Sequence, residues 1–243
     1  RPPVKSPATT SATMTAADPL HVLADARDRP HLLNPAIDLG GWLAEQEQPA
    51  WRAAAIRRWL FGGRADSFAA MTDLPQGLRE RLAEHFRIWT ASIAAHQRSV
   101  DGTEKLLLEF ADGQRVECVL LRDGPRRTVC VSSQVGCGMG CVFCASGIDG
   151  VVRNLTTGEI VEQLLRLAHI LPDDERLSHV VMMGMGEPLA NLERVVEALE
   201  VARDPAGLGI SQRRITISTV GLPQAIDRLI AHDPGYNLAV SLH

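Results

Sequence analysis

Residues 137 to 144 read Cys-Gly-Met-Gly-Cys-Val-Phe-Cys, so three cysteines fall within eight residues, at spacings of four and three. Thiolates are soft ligands that suit zinc, copper(I) or iron–sulfur clusters. Zinc sites usually pair two close ligands with two more about a dozen or more residues away. The remaining cysteines, Cys118 and Cys130, both precede the group and complete no such set. A cubane cluster normally takes four thiolates, so three leave one iron without a protein ligand. A small molecule could bind there through an amine and a carboxylate. Gly138 and Gly140 let the loop wrap closely and aim backbone N–H groups at sulfur. A cluster with an open iron is the favoured reading of this stretch; a zinc site and a purely structural set of cysteines are the alternatives.

The rest of the chain must fold around that loop. At 243 residues, 45% hydrophobic and 22% charged, it has the composition of a soluble globular protein of one or two domains. No apolar run reaches the roughly 18 residues that span a bilayer, and the N-terminus lacks the pattern of a secretory signal. Five cysteines, three of them crowded, fit a reducing compartment, so a cytoplasmic location without a membrane partner is expected. The net charge of −4 argues mildly against a nucleic-acid partner. Arginines nevertheless cluster at Arg52, Arg57, Arg58 and Arg64, at Arg122, Arg126 and Arg127, and at Arg213 and Arg214. Solvated helix faces and loop ends are the ordinary reading of any one cluster.

Residues 1 to 33 are rich in Ala, Pro, Thr and Asp without a sustained period and are expected to be disordered, with Met14 a candidate initiator. Residues 34–90 read as a small helical domain. Apolar residues recur there at three- and four-residue steps, and Trp42, Trp51, Trp59 and Trp89 read as its core anchors. Residues 91–121 read as a β-hairpin connection, its strands Lys105 to Phe110 and Arg115 to Leu120 flanking Asp112-Gly113. On the second strand Val116, Cys118 and Leu120 share one face, while Arg115, Glu117 and Val119 share the other. Residues 122–243 alternate strand and helix, the α/β pattern of a parallel sheet or barrel. Strands are expected at Val129 to Ser133, His179 to Met183, Arg214 to Ser218 and Asn237 to Leu242. A capping box, Thr156 with Glu159, opens one helix; Asn191 is expected to cap another, and Pro223 suits the first turn of a third.

Cys-x-x-x-Cys-x-x-Cys with Phe143 before the last cysteine resembles the signature of radical S-adenosylmethionine enzymes. The longer run from Cys130 through Cys-Val-Ser-Ser-Gln-Val-Gly-Cys to Arg153-Asn154 resembles, more narrowly, the radical adenine-C2 methyltransferases of ribosomal RNA, the RlmN/Cfr group. The resemblance implies a radical S-adenosylmethionine barrel over 122–243, and an accessory domain over 34–90 that helps engage RNA. It implies a [4Fe-4S] cluster on Cys137, Cys141 and Cys144, with S-adenosylmethionine on the open iron. Gly184-Met185-Gly186-Glu187-Pro188 is similar to the family's motif for the methionyl amine, through Gly186 and Glu187. Ser218, Ser241, Leu242 and His243 match further cofactor-contacting positions at successive strand ends. Glu117, thirteen residues before Cys130, matches the family's proton acceptor, although a solvated strand carboxylate is the usual reading of such a residue.

The mechanism so implied uses one electron, from a donor such as flavodoxin, to cleave S-adenosylmethionine to methionine and a 5′-deoxyadenosyl radical. That radical takes hydrogen from a methyl group previously placed on a cysteine near the C-terminus, and the carbon radical adds to adenine C2. A second cysteine then resolves the protein–RNA adduct by forming a disulfide with the first; in the family it lies seven residues before the first cluster ligand, where this chain has Cys130. A buried structural thiol is the alternative, and the reading preferred for Cys118. The substrate implied is 23S rRNA, with tRNA as a second candidate, and the protein a monomer. Two departures accompany the resemblance: the methyl-carrying cysteine has no counterpart after Cys144, and about four barrel strands are visible where the family has six. A fragment of a longer enzyme, unable by itself to complete methyl transfer, is the expectation. An adenine-C8 (Cfr-type) methyltransferase and a non-catalytic RNA-binding homologue are the rival readings.

Overall fold

The computed structural model describes residues 28–232 and 235–242; residues 1–27 of the extension expected to be disordered, and His243, lie outside them. Three short helices come first: α1 (Leu39–Glu45), α2 (Trp51–Arg57), which continues into a π-helical turn over Arg58–Gly62, and α3 (Gln76–His85). Then follow β1 (Ala91–Arg98), β2 (Glu104–Phe110), β3 (Arg115–Asp123), β4 (Arg126–Cys130), β5 (Gln134–Gly136) and β6 (Val151–Asn154). The remainder is α4 (Thr157–Ala168), β7 (His179–Met182), α5 (Leu192–Arg203), β8 (Ile215–Thr219), α6 (Pro223–Ala231) and β9 (Asn237–Val240). The elements form a mixed α/β fold.

One seven-stranded sheet, ordered β1-β2-β3-β4-β7-β8-β9, organises it, and β5 pairs β6 in a separate ribbon. The strands from β1 to β4 are antiparallel to one another, whereas β4, β7, β8 and β9 run parallel. Parallel neighbours need crossover helices, which α4, α5 and α6 supply. One face of the sheet is apolar and buried: Leu106, Leu108, Val116, Leu120, Val129, Val180, Met182, Ile215 and Ile217. Against it pack helices with broad apolar sides, such as Ile160, Val161, Leu164, Leu165 and Leu167 of α4. The opposite face is half open, and the sheet is a partial barrel that does not close.

The sequence reading holds for the alternation after residue 125, for the capping box, where the Thr156 side chain accepts from Glu159 N and the Glu159 carboxylate from Thr156 N, and for Pro223 in the first turn of α6. Elsewhere it needs correction. The two strands and the turn expected within 91–121 are present as β2 and β3, but they are no separate hairpin connection: Ala91–Arg98 adds a strand to β2, and β3 pairs β4 within the main sheet. Ser132 and Ser133 lie past the end of β4 instead of within it. Residues 32 and 33 do not belong to a disordered segment: Leu32 and Leu33 are buried, and Leu32 N donates to Arg87 O at 2.9 Å. Trp51 is no core anchor; it is 61% exposed and lies beside the Arg52 guanidinium, while Trp42, Trp59 and Trp89 are half buried. Asn191 stands before α5, but its side chain does not cap the helix.

Candidate functional site

Side chains opposite one another in neighbouring strands point to the same face. Val119 lies opposite Cys130, Cys130 opposite Val181, and Val181 opposite Thr216. Glu117 is two residues from Val119, and Ser218 two from Thr216, so Glu117, Cys130 and Ser218 all sit on the half-open face. This parity, together with the parallel direction of β4, β7 and β8, brings residues far apart in sequence to one end of one surface. The Glu117 carboxylate pairs with Lys105 Nζ at 2.8 Å and is 44% exposed. Burial pushes the Cys130 thiol above its ordinary pKa, and a hydrogen bond from Met183 N partly offsets it. Cys118, on the other face, is buried in the core and its thiol is pushed up by desolvation. Core packing is its role.

Residues 131–136 carry the chain from β4 to the thiol loop, and a buried polar clamp fixes them. Gln163, a polar residue within the apolar run of α4, accepts from Ser132 N at 2.8 Å and donates to Ser132 O at 3.0 Å. Ser132 Oγ donates to Glu117 O at 2.6 Å and accepts from Met185 N at 2.8 Å. Asn191 Nδ2 donates to Ser133 O and to Leu155 O, each at 2.9 Å, so its amide braces this connection and makes no capping bond to α5. Gln134 donates to Asn154 Oδ1 at 2.7 Å and accepts from Glu187 N at 2.8 Å. The sequence reading passed over Ser132, Gln134 and Gln163; the one visible signal was a glutamine that, beside Glu162, interrupts the apolar residues of α4.

The ribbon of β5 and β6 pinches the loop at its base, with Cys137 N donating to Gly150 O at 3.0 Å. Inside, Cys144 N donates to Cys141 O at 3.0 Å and Gly147 N to Cys144 O at 3.1 Å. All three cysteines are half buried. Burial, first, raises the Cys137 thiol pKa, with the negative charges of Cys144, Cys141 and Glu187 adding to it; a hydrogen bond from Met139 N acts the other way. The thiols therefore sense one another and Glu187. Among the described residues they do not meet at a point as ligands of a single metal ion would. A cubane, whose liganded irons are separate atoms, asks for no such convergence, and an all-sulfur donor set on one loop fits an iron–sulfur group.

Glu187 follows β7 and is almost fully buried, its carboxylate accepting from Leu189 N and from Val220 N, each at 3.0 Å. It thereby ties the end of β7 to the end of β8. Gly186 precedes it at φ +96°, a conformation that favours glycine, and a Cβ there would lie 2.5 Å from the Gln134 Cβ. Ser241 follows β9, its N–H on Thr219 O at 2.8 Å, and Leu242 is 86% exposed.

Comparison with known proteins bears directly on this arrangement. The profile of the Radical SAM superfamily matches residues 131–238, and that of the ribosomal RNA large subunit methyltransferase N-terminal domain matches residues 34–88. A relative from Rhodopirellula baltica, named a probable dual-specificity RNA methyltransferase RlmN, is 69% identical over 88% of this chain and 58% of its own length. In both of its matched parts the chain is similar to the RlmN group of the radical SAM superfamily. An RlmN relative of the same description from Moorella thermoacetica is 46% identical over 85% of this chain and 63% of its own length. The crystal structure of a radical SAM methyltransferase from Sphaerobacter thermophilus superimposes with a TM-score of 0.83 at 40% identity, over 88% of this chain and 64% of that one. The chain thus spans about three fifths of the length of these proteins. None of its described helices is long and apolar enough to cross a membrane.

Proposed function

We propose that the chain belongs to an enzyme that methylates C2 of an adenine in 23S rRNA, with tRNA as a second substrate, by radical S-adenosylmethionine chemistry. The observation that carries this reading is the shared half-open face bearing Glu117, Cys130 and Ser218 at the sheet end where the three-thiol loop emerges. In this reading Cys137, Cys141 and Cys144 hold a [4Fe-4S] cluster. Gly186, Glu187, Ser218, Ser241, Leu242 and His243 contact S-adenosylmethionine. When bound, the cluster supplies the single electron that cleaves the sulfonium.

The chain's own groups do the rest. Glu187 orients the cofactor's amine from a position that its two backbone donors keep rigid. The apolar body of the sheet and α4 excludes water from beneath the loop. Cys130 is kept as a neutral thiol by burial until a base takes its proton. Glu117, on the same face and diagonal to it across β3 and β4, about 7–8 Å away between Cα atoms, is the carboxylate available as acceptor. An electron donor such as flavodoxin, a monomeric state and a cytoplasmic setting complete the proposal.

Anaerobic reconstitution with iron and sulfide tests it. The protein should gain the broad visible absorption of a cubane cluster, and Cys137→Ala, Cys141→Ala and Cys144→Ala should each lose it. Stoichiometric zinc without that absorption overturns the cluster assignment, and full RNA methylation by Cys141→Ala overturns the radical mechanism. Product mapping decides regiochemistry: a methyl group at C8 sinks the C2 assignment and leaves the radical chemistry standing.

A further inference from the structure

Arginines from separate stretches of the sequence meet in a cleft at the end of the sheet opposite the thiol loop. It encloses about 570 Å³ between the π-helical turn after α2, the connection from α4 to β7 and the connection from α5 to β8. Arg58, Arg64, Arg176 and Arg214 line it, with Asp173 the one carboxylate among the described residues, on a chain whose net charge is −4. The local sign is therefore opposite to that of the molecule.

The state of each guanidinium matters more than the count. Arg58 pairs with Asp73 at 2.7 Å. Arg64 is held by carbonyls, donating to Leu171 O at 2.8 Å, to Pro172 O at 3.1 Å and to Glu175 O, so it is fixed in place without being neutralised. Arg176 and Arg214 take part in no ion pair or side-chain hydrogen bond among the described residues. The positive field reaches the strand ends: His179 is held below its ordinary pKa by desolvation and then by Arg214 and Arg126. Gathering guanidinium groups around one cavity costs self-repulsion unless an anion relieves it.

The form of the cleft selects among anions. Terminal phosphates of nucleotides favour cradles of free backbone N–H groups at glycine-rich turns. Here the N–H groups of Gly207 and Gly209 are both taken by Asp204 O, at 2.8 and 3.1 Å. What remains is a set of guanidinium forks on three elements, the chemistry that positions a phosphodiester backbone. Strands of five residues put the cleft roughly 16 Å from the thiol loop, out of reach of the reacting base. We propose that this cleft binds backbone phosphates of the RNA substrate away from the target adenine, with Arg176 and Arg214 making the contacts and Arg64 shaping the wall. The proposal rests on the reading of the chain as part of an RNA-modifying enzyme.

Salt-dependent binding of an rRNA hairpin tests it without cluster or cofactor. An Arg176→Ala/Arg214→Ala double variant should melt like the wild type, since neither guanidinium has a partner to lose among the described residues. Its plot of log K against log salt should be shallower by about 2, with affinity reduced about equally for unrelated RNA sequences. Arg176→Lys/Arg214→Lys should keep most of the slope. An unchanged slope in the alanine variant overturns the proposal, as does saturable binding of tripolyphosphate in the cleft that the hairpin does not displace. Failure of the enzymatic reading looks different: the wild type would bind RNA with the full slope and take up no iron–sulfur cluster on reconstitution.

Discussion

At the scale of single residues, Glu187 shows how one side chain can both build and serve a site. Its carboxylate is the acceptor for Leu189 N and Val220 N, so Glu187→Ala strands two donors at a strand end. An unsatisfied buried donor costs about 1–3 kcal/mol, and urea denaturation of Glu187→Ala should show a loss of about 2 kcal/mol or more. Glu187→Gln keeps one acceptor and should recover roughly half of that. A variant as stable as the wild type would show that the two hydrogen bonds hold nothing. Gly186 is the neighbouring constraint. An alanine there meets Gln134 Cβ at 2.5 Å and Gln134 N at 2.7 Å from a backbone at φ +96°. The strain is about 1–2 kcal/mol before the collision is counted, and Gln134 must move to relieve it. Gly186→Ala should therefore lower both stability and S-adenosylmethionine affinity, the latter read by calorimetry on the cluster-loaded protein.

Elements differ in how far their sequence announces them. The capping box at the start of α4 is legible because Thr156 and Glu159 act locally, and Thr156→Ala should cost about 1 kcal/mol in thermal or urea unfolding. The parallel strands are legible because both of their faces carry apolar or half-buried residues. Strand β1, Ala-Ser-Ile-Ala-Ala-His-Gln-Arg, is not, since it has one buried residue and is held by main-chain pairing to β2. The ribbon of β5 and β6 escapes for another reason: strands of three and four residues, separated by the thiol loop, are too short to show a period. In the candidate site, cysteines and glycines mark themselves by spacing. Gln163 and Asn191 do not, because their amides serve backbone groups of residues 132, 133 and 155, a relation visible only once α4 and β7 are stacked. Trp51 misled for the converse reason: its four-residue step to Ala55 matches the face that α2 buries, but it stands at the first residue of the helix, where that face is open.

At the scale of the whole molecule, the accessory helices and the sheet are joined through Glu162 of α4, which has no solvent exposure. Its carboxylate accepts from Thr90 N at 2.8 Å, Thr90 Oγ1 at 2.6 Å and Ala91 N at 3.1 Å, while Arg166, 3.3 Å away, stacks over Trp89 and donates to Ala91 O. His31 lies against the same carboxylate at 3.6 Å, its ring N–H on Ile88 O. Burial holds the His31 pKa below 6.5, outweighing Glu162, which pulls it up. A histidine depressed in the folded state contributes stability above its unfolded pKa and loses it as pH falls through about 6.5 towards the lower folded value. Stability should drop on acidification below about pH 6.5, and His31→Gln should remove that part of the slope in urea titrations at paired pH values. Glu162 itself makes the stronger demand. Removing one member of a buried, hydrogen-bonded ionic group costs about 3–5 kcal/mol, because its partners stay buried without it. All four tryptophans precede residue 90, so their fluorescence reports the accessory helices, whereas far-UV circular dichroism reports the whole chain. In the wild type the two signals should fall together, since one continuous apolar core runs from Leu32 to Leu229. In Glu162→Ala the fluorescence transition should come first, at lower urea, by about 3 kcal/mol. Coincident transitions in that variant would mean that the two parts are held together by the apolar core alone.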